Sequence, residues 1–491
     1  MKAEHRVTNP GPAKSGMTHR KNLEKVITFK NYIAIALGAI IGVGWIIYAG
    51  EWLLDGGPIG AMLAFILGGI LLIPIGKCYA ELTPAIPVAG GELAFSYKAF
   101  GIFVSFLTAW LLAFNYTFVL PFETIAIGAL FESMLPGLKT PVLYIVGDNT
   151  VRMSSILPGL FVGLCLIVLN YRGVKNSARF QMFAMGLMLS CVLVFTCVAL
   201  FKGNVSHFHP LFAHGGPLWT AIPASVISVI VVVPWFMAGF DSIPQAAEES
   251  GHKVQPQDLG KAIIMAIVIG ILFYIVVIMD VSLSMPWQES YTYDLPTAAV
   301  FRVAFGYEWA AQLVLFAGIL GLITTLNGFY IASSRLIFAQ GRGGLLPQWF
   351  GEVHEKYHTP KNAIIFVGII SLIGPFLGKA ALTPIVNSSS LAFVFALSVT
   401  SLSAVRLRKT APSLARPYKV KSTMTLYLGF TISIILVLLM LAPRSPGQLS
   451  PLEFAIIGFW FITGLCAYLW RRKKKDMSKE ERDIQILGDY R

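Results

Sequence analysis

Two clusters of helix-breaking residues interrupt otherwise apolar stretches of the chain. Residues 38–45 contain three glycines within seven positions, and residues 234–244 contain two prolines together with Gly239 and Asp241. Glycine weakens a helix interior by roughly 0.5–1 kcal/mol relative to alanine, and proline removes a backbone donor. Where a helix stops at membrane depth, its freed amides bind an anionic group and its freed carbonyls bind a cation. The clusters therefore favour a solute-binding site over glycines that only permit close helix packing.

A lone carboxylate, Glu123, lies about a dozen residues into another long apolar stretch, just after Pro121. A carboxylate there is costly, so it is protonated, paired with a cation, or facing water. The functional interpretations are a proton carrier and a counter-ion for an ammonium group. The alternative is a solvated residue near the outer mouth of the protein.

The amino-acid composition is that of a membrane protein, in which helix breaks and buried charges are unusual. Of 491 residues, 56% are hydrophobic and only 13% are charged, against roughly 25% charged residues in an average soluble protein. A soluble fold could not cover so much apolar surface. We therefore predict an all-α integral membrane protein and exclude disorder and a disulfide scaffold. The five cysteines form no CxxC pair, which indicates free thiols and no metal site.

A membrane span needs about 20 mainly apolar residues. Twelve transmembrane helices are predicted, at 31–54, 58–80, 101–130, 153–170, 180–201, 218–241, 261–284, 309–338, 362–378, 384–405, 425–442 and 452–470. Only six of the 38 Lys and Arg residues fall in the outer loops, at Lys139, Arg152, Lys202, Arg302, Lys379 and Arg444. This asymmetry predicts that both termini are cytoplasmic. The net charge of +13 then reflects topology and attraction to anionic lipid, not nucleic acid.

The two interrupted stretches open corresponding positions of the chain, which suggests two five-helix halves of opposite topology. The predicted organisation begins with a cytoplasmic N-terminal tail (1–30), a first five-helix repeat (31–203) and a second, inverted five-helix repeat (218–408). Two added helices (425–470) and a basic cytoplasmic C-terminal tail (471–491) follow. Short loops and the absence of large soluble extensions fit the inner (cytoplasmic) membrane of a bacterium.

Four motifs in order resemble the amino acid–polyamine–organocation (APC) permeases. Residues Gly38–Gly44 resemble the family's glycine motif in helix 1. Gly239-Phe240-Asp241, followed by Ala247-Glu248-Glu249, resembles the family's motif in helix 6. The signature after helix 2 resembles Ala80-Glu81-Leu82, Pro87, Gly90-Gly91-Glu92 and Phe100-Gly101. The end of helix 8 and its loop resemble Arg335–Arg342, Leu346-Pro347 and Thr359-Pro360.

The resemblance implies a 5+5 inverted-repeat (APC/LeuT-like) fold with broken helices 1 and 6. It implies secondary active transport of an amino acid, ion-coupled or by exchange, and no enzymatic activity. Gly50-Glu51-Trp52 is also similar to ethanolamine permeases. A permease for a carboxylate-free amine, such as ethanolamine or a polyamine, is therefore the alternative.

The resemblance also implies functional residues. The predicted substrate-binding residues are Ile41, Gly42, Val43, Gly44, Trp45, Glu123, Trp235, Phe236, Gly239, Phe240 and Asp241. The amides of 42–44 would face a substrate carboxylate, and small side chains there let the backbone reach the ligand. Trp45 stands where the family usually has a smaller aliphatic residue. An aromatic at the helix 6 break would gate the site. Asp241 would cap the second half-helix or meet a substrate amine.

Ion coupling is left open between Na⁺ and H⁺, with no other cofactor expected. The resemblance to sodium-coupled relatives of this fold implies Ile40, Thr324 and Thr325 as the candidate ion site, and their oxygen atoms suit a hard cation. The alternative is that these hydroxyls only bond the backbone. Some relatives carry a lysine in helix 5 where this chain has Met188. The candidate inner gate consists of Glu81, Glu248, Glu249, Arg335 and Arg342; its alternative is a solvated charged surface, where a pair contributes about 0–1 kcal/mol.

Other function classes find less support. The chain has no HExxH or catalytic GxGD, no repeated filter loops or charged rings, and no sizeable soluble domain. These observations disfavour an intramembrane enzyme, a channel and a receptor, respectively. The expected partners are a small amino acid or amine and the lipid bilayer, without nucleic acid. The expected state is a monomer or a weak homodimer.

Overall fold

The computed structural model describes residues 20, 23–146, 149–293, 295–378, 382–443, 445, 448–474 and 477–491, with the side chains of 382 and 383 excepted. Most of the predicted N-terminal tail and the outer-loop positions Lys379 and Arg444 lie outside these residues. The helices are α1 (Phe29–Ile40), α2 (Gly44–Ile47), α3 (Ala49–Ala85), α4 (Gly91–Phe100), α5 (Ile102–Met134), α6 (Met153–Tyr171), α7 (Val174–Lys202), α8 (Leu218–Ile230), α9 (Val233–Phe236), α10 (Ser242–Gln245), α11 (Pro256–Ser284), α12 (Trp287–Ser290), α13 (Pro296–Phe305), α14 (Glu308–Arg342), α15 (Lys361–Leu377), α16 (Leu382–Thr410), α17 (Thr423–Leu441), α18 (Pro451–Lys474) and α19 (Lys479–Leu487).

One small antiparallel hairpin interrupts this helical order. Its strands are β1 (Val142–Val146) and β2 (Asn149–Arg152), and they lie in the connection between α5 and α6. Short 3₁₀ turns occupy other connections, at Pro136–Leu138, Val205–Phe208, Ala247–Glu249, Gln348–Gly351 and Gly488–Tyr490.

Within the described residues, ten helical segments are long and apolar enough to cross a membrane. They coincide with ten of the predicted spans, which supports an all-α, multi-pass membrane protein. The predicted spans at 218–241 and 362–378 hold shorter apolar helices, α8 and α15. The first of these is short because the helix-breaking residues that follow α8 end it. The total of twelve spans stays a prediction, as does the inverted repeat.

Both predicted helix breaks are present. α1 ends at Ile40 and α2 begins at Gly44, so residues 41–43 are not helical. α9 ends at Phe236 and α10 begins at Ser242, which leaves residues 237–241 outside any helix.

Gly57 separates the first two predicted spans. Gly57 has φ +68°, a left-handed conformation, and kinks α3 immediately before Pro58. A Cβ at Gly57 would lie 2.7 Å from the backbone of Phe212. Glycine is required here for both conformation and space.

Polar side chains fix the interrupted helix α1 among its neighbours α7, α11 and α14. Gln181 on α7 donates to the carbonyls of Ala34 on α1, at 3.2 Å, and Thr324 on α14, at 3.0 Å. Asn327 donates to Gln181 Oε1 at 2.8 Å. Since buried amides are costly unless bonded, this network specifies how the three helices pack.

The predicted C-terminal tail contains a helix that is docked on the bundle. Within α19, Asp483 accepts a hydrogen bond of 2.6 Å from Tyr97 on α4. Arg482 donates to the carbonyl of Gly343 at 3.2 Å, and Ile486 is buried against the same glycine. An amphipathic helix with this many contacts is part of the folded bundle.

Candidate substrate site

The two helix breaks lie against each other. Gly239 has φ +134°, and a Cβ there would lie 2.7 Å from the Ile40 nitrogen. Tyr274 on α11 donates to the carbonyl of Ile40 at 2.9 Å and to that of Phe236 at 3.1 Å. One hydroxyl thus lies within hydrogen-bond distance of a freed carbonyl from each break, and its single proton is shared between them. Sequence reasoning missed Tyr274, because a tyrosine within an apolar helix carries no signal of where it points.

A small cavity of about 40 Å³ lies between the breaks. Its lining includes eight predicted residues: Ile40, Gly42, Val43, Gly44, Glu123, Trp235, Phe236 and Thr325. Seven further residues complete it: Ala39, Asn115, Val119, Phe122, Ala238, Tyr274 and Phe329. Five predicted substrate residues lie at the breaks but outside this lining: Ile41, Trp45, Gly239, Phe240 and Asp241.

Glycines at the first break allow close approach to the cavity. A Cβ at Gly44 would overlap the ring of Phe236. A Cβ at Gly42 would lie 3.2 Å from Thr325 Oγ1 and 3.6 Å from Glu123 Oε1. Among the described residues, the amides of 42–44 donate to no backbone carbonyl. The first break therefore has backbone donors, on residues that line the cavity, with no backbone acceptor of their own.

Glu123 is buried, with 3% of its surface exposed. Its Oε2 atom has no hydrogen-bond partner within the described part of the chain, and its carboxylate forms no ion pair there. The interpretation of a solvated residue near the outer mouth is therefore wrong. An unpartnered buried carboxylate facing a cavity can accept a proton or an ammonium group.

Asp241 lies at the N-cap position of α10 but does not cap it. Its Oδ1 accepts from the Gly239 amide at 2.9 Å, and its Oδ2 accepts from the Tyr116 hydroxyl at 2.5 Å. The capping interpretation is wrong because the carboxylate turns back into the break. Asp241 thus holds the second break in shape and joins it to α5.

Two predicted aromatics face away from the cavity. Trp45 stacks on Phe195 of α7 at 5.7 Å between ring centroids and meets Phe273 of α11 edge-on at 5.8 Å. Phe240 packs edge-on against Tyr79 of α3 at 5.4 Å. Both rings fill the bundle interior, so the unusual Trp45 adds packing without narrowing the cavity.

Trp235 and Phe236 are the predicted aromatic residues that line the small cavity. Their rings meet at 83°, with centroids 4.9 Å apart. Both also line a wider cavity of about 290 Å³, together with Tyr48, Glu51 and Trp52. These two rings therefore stand between the small cavity and the wide one.

Each of the candidate ion-site oxygens already takes part in a hydrogen bond within the protein. Thr325 Oγ1 donates to the Gly38 carbonyl at 2.7 Å, and Thr324 Oγ1 donates to Gly321 at 2.9 Å. The Ile40 carbonyl accepts from Tyr274. Each group already has a protein partner, which fits the alternative of backbone bonding. Among the described residues, no group of three or more His, Cys, Asp or Glu could hold a metal ion.

The candidate gate residues form separate buried ion pairs. Glu248 binds Arg342 through both guanidinium nitrogens at 2.8 Å and also binds Arg20 at 2.8 Å. Glu249 binds Arg335 at 2.8 and 3.0 Å. Burial alone would raise the pKa of Glu248, but the guanidinium groups of Arg342 and Arg20 lower it to about 2.

Glu81 does not join these pairs. It binds Arg408 at 2.5 Å and Arg416 at 3.3 Å, both beyond the end of the predicted tenth span. Its Oε2 also accepts from the Val420 amide at 2.8 Å. Sequence reasoning missed Arg20, Arg408 and Arg416 because ion-pair partners far apart in the chain have no local signal.

Comparison with known proteins agrees with this architecture. Residues 27–466 match the amino acid permease family. The branched-chain amino acid permease BcaP of Bacillus subtilis (strain 168) is 26% identical over 94% of this chain and 96% of its own length. The methylthioribose transporter of the same organism is 26% identical, covering 83% and 86% respectively. Its aspartate-proton symporter is 28% identical, covering 82% and 77%. The resemblance to the APC permeases is thereby confirmed, and this multi-pass membrane protein belongs to the amino acid permease family.

Proposed function

We propose that this protein is a secondary active transporter that moves an amino acid across the cytoplasmic membrane by alternating access. One observation carries the proposal. The unbonded amides of Gly42–Gly44 and the unpartnered carboxylate of Glu123 line the same small cavity. An α-amino acid carries its carboxylate and its ammonium group on one carbon. The amides would bind the carboxylate and Glu123 would bind the ammonium group.

Movement of aromatic side chains is part of this proposal. A cavity of about 40 Å³ holds only a few waters, each of which needs about 10–15 Å³ by this measure. An amino acid therefore enters only after Trp235 or Phe236 moves toward the wide cavity. The same rings would then cover the bound substrate and offer cation–π attraction of about 0.5–2 kcal/mol to its ammonium group.

The buried pairs Glu248–Arg342 and Glu249–Arg335 would act as the inner gate. They join residues just after α10 to the end of α14. Opening the inner side separates these elements and breaks the pairs. We place the cycle in a 5+5 inverted repeat of twelve spans with both termini cytoplasmic. The protein would act as a monomer or weak homodimer, without enzymatic activity and with its energy supplied by an ion gradient or by exchange.

A carboxylate-free amine is the second candidate substrate. Glu123 and the aromatic lining suit an ammonium group without any carboxylate. A similar protein is named for methylthioribose, which is not an amino acid. The amides of 42–44 would then bind water or a hydroxyl group of the solute.

Counterflow in proteoliposomes separates the two candidates. Vesicles preloaded with an unlabelled amino acid should take up its labelled form, with amino acids screened from neutral to charged. For leucine, the matched competitors are 3-methylbutylamine, which lacks the carboxylate, and 4-methylpentanoate, which lacks the ammonium group. We expect leucine to compete and both analogues to fail. Equal competition by the amine would favour the second candidate, and no counterflow with any solute would refute both.

Substitution of the proposed ammonium ligand tests the pose. Losing a charged hydrogen-bond partner costs about 1.5–3 kcal/mol, so Glu123→Gln should lower apparent amino acid affinity roughly 10- to 150-fold. Glu132→Gln is the control. Glu132 lies on the same helix but accepts from Ser154, outside the cavity lining. Unchanged affinity in Glu123→Gln would contradict the pose.

A further inference from the structure

Another buried carboxylate without a cationic partner in the described structure lies near the second break, outside the cavity lining. Glu92 on α4 is fully buried. Its Oε2 atom accepts a hydrogen bond from Gln245 Nε2 at the end of α10. Its Oε1 atom forms no well-directed hydrogen bond within the described residues, although the Tyr79 hydroxyl neighbours the carboxyl group, and no Lys, Arg or His there forms an ion pair with it. A buried carboxylate charge without a balancing cation is costly, so Glu92 is expected to bind a proton and become neutral.

Other unpartnered oxygens surround Glu92. The Tyr79 hydroxyl on α3, Gln245 Oε1 and the Thr400 hydroxyl on α16 are buried without hydrogen-bond partners in the described structure. Tyr79 neighbours both Glu92 and Thr400. Four elements thus contribute oxygen atoms to one buried cluster. A protonated carboxyl can donate a hydrogen bond to such a cluster, whereas a carboxylate there meets only neutral hydroxyl and amide donors and no cation that balances its charge.

The charged and titratable groups facing Glu92 are Asp241, Tyr79 and Tyr116. Asp241 accepts two hydrogen bonds, which stabilise its carboxylate form. Burial, and secondarily the charge of Asp241, raises the pKa of Glu92 well above its usual range. Two carboxylates in one dry region do not both ionise without a large cost.

Glu92 also lies between moving parts of the proposed cycle. A Cβ at Gly91 would overlap Pro244, so α4 packs directly on α10. The amide of Ala89, just before α4, donates to Glu248 Oε2 at 3.0 Å. The segment carrying Glu92 therefore contacts both the second break and the inner ion pairs.

We propose that Glu92 is a proton-binding site of the transport cycle, separate from the substrate site, and that proton loss from it releases α4 from α10. The proposal rests on the proposed transport function and names H⁺ as its coupling ion. With the proton on Glu92 Oε1, the contact through Gln245 is stable. When the proton leaves to water on the inner side, the carboxylate repels Asp241. Separation of α4 from α10 relieves this repulsion and weakens the Glu248 ion pairs.

Proteoliposomes with imposed gradients test the proposal. The wild type should accumulate substrate when the outside is acidic and should acidify the lumen, as reported by an entrapped pH dye. Exchanging Na⁺ for K⁺ should change neither signal. Glu92→Gln, which mimics the protonated carboxyl, should retain counterflow but lose acid-driven accumulation and dye acidification. Glu92→Asp keeps a titratable group and should retain both.

Matched variants keep the outcomes distinct. Glu453 is also buried, but it accepts from Asn387 at 2.7 Å and from the Ser450 amide at 2.6 Å, so Glu453→Gln should leave acid-driven accumulation unchanged.

Sodium-driven or gradient-independent uptake by the wild type would overturn the proton site while leaving transport intact. Persistent acid-driven accumulation in Glu92→Gln would do the same. If Glu92→Gln does not fold, Glu92→Asp is the test: acid-driven accumulation that persists with a shifted pH dependence supports the proposal, and an unchanged pH dependence or a pH-independent loss of accumulation contradicts it. Absence of counterflow in the wild type would instead refute the transport function.

Discussion

The chemistry of the cavity depends both on glycines that lack a side chain and on one buried carboxylate. Gly42 and Gly44 have no side chains, which lets Glu123 and the Phe236 ring approach the first break. Glu123 supplies a charge with no protein partner in the described structure. A cavity built in this way depends on space at the level of one methyl group.

Filling that space should weaken substrate binding. A methyl group added by Gly44→Ala overlaps the Phe236 ring. Overpacking costs about 1–3 kcal/mol, so affinity should fall roughly 5- to 150-fold. Gly186→Ala is the matched control, because a Cβ on this helical glycine meets nothing within 4 Å. Binding measured by scintillation proximity should distinguish the variants; equal affinities would show that the ring moves away without cost.

At the scale of elements, the two broken helices and their attached segments form a linked unit. Tyr274 holds both breaks from α11, Asp241 ties the second break to α5, and Glu248 ties the segment after α10 to α14. Because the ion pair is buried, removing one partner leaves an uncompensated charge. The inner end of the unit therefore depends on ionisation.

Glu248 should make stability depend on pH at the acidic end. Its pKa is lowered from 4.5 to about 2 in the folded protein. A depressed folded pKa contributes stability that is present above about pH 4.5 and is lost as pH falls toward about 2. The unfolding temperature in detergent should therefore fall over this window, and Glu248→Gln should show a shallower fall.

The same variant should be destabilised at neutral pH. Breaking a buried pair costs about 3–5 kcal/mol, whereas an exposed pair contributes about 0–1 kcal/mol. Glu308→Gln is the exposed control, since Glu308 and Arg302 have side chains 58% and 48% exposed. Equal unfolding temperatures for the two variants would contradict a stabilising role for the Glu248 pairs.

For the whole molecule, the central question is how an interrupted helix crosses the bilayer. α8, α9 and α10 are each too short to span, but together they cover residues 218–245. The freed backbone groups between them are accommodated because the break is covered by α1, α5 and α11. The topology predicted from the charge asymmetry requires that this composite segment crosses the bilayer once.

Cysteine accessibility should show that this composite segment crosses the membrane. In a cysteine-free background, Ser206→Cys before α8 and Lys253→Cys after α10 occupy exposed positions. A membrane-impermeant maleimide should label Ser206→Cys in intact cells and Lys253→Cys only after permeabilisation. Labelling of both from one side would show that residues 218–245 do not cross.

Local features of the sequence were enough to predict the long apolar helices and the two breaks. Apolar length, glycine and proline act through the backbone of their own segment, so neighbours are not needed to interpret them. Glu123 was recognisable because a charge in an apolar helix stands out. Only the tertiary structure decided that Trp45 and Phe240 face away from the cavity, that Tyr274 joins the breaks, and that Glu92 has no cationic partner among the described residues. These outcomes depend on which distant helix a side chain meets, and that information is set by packing across the whole bundle.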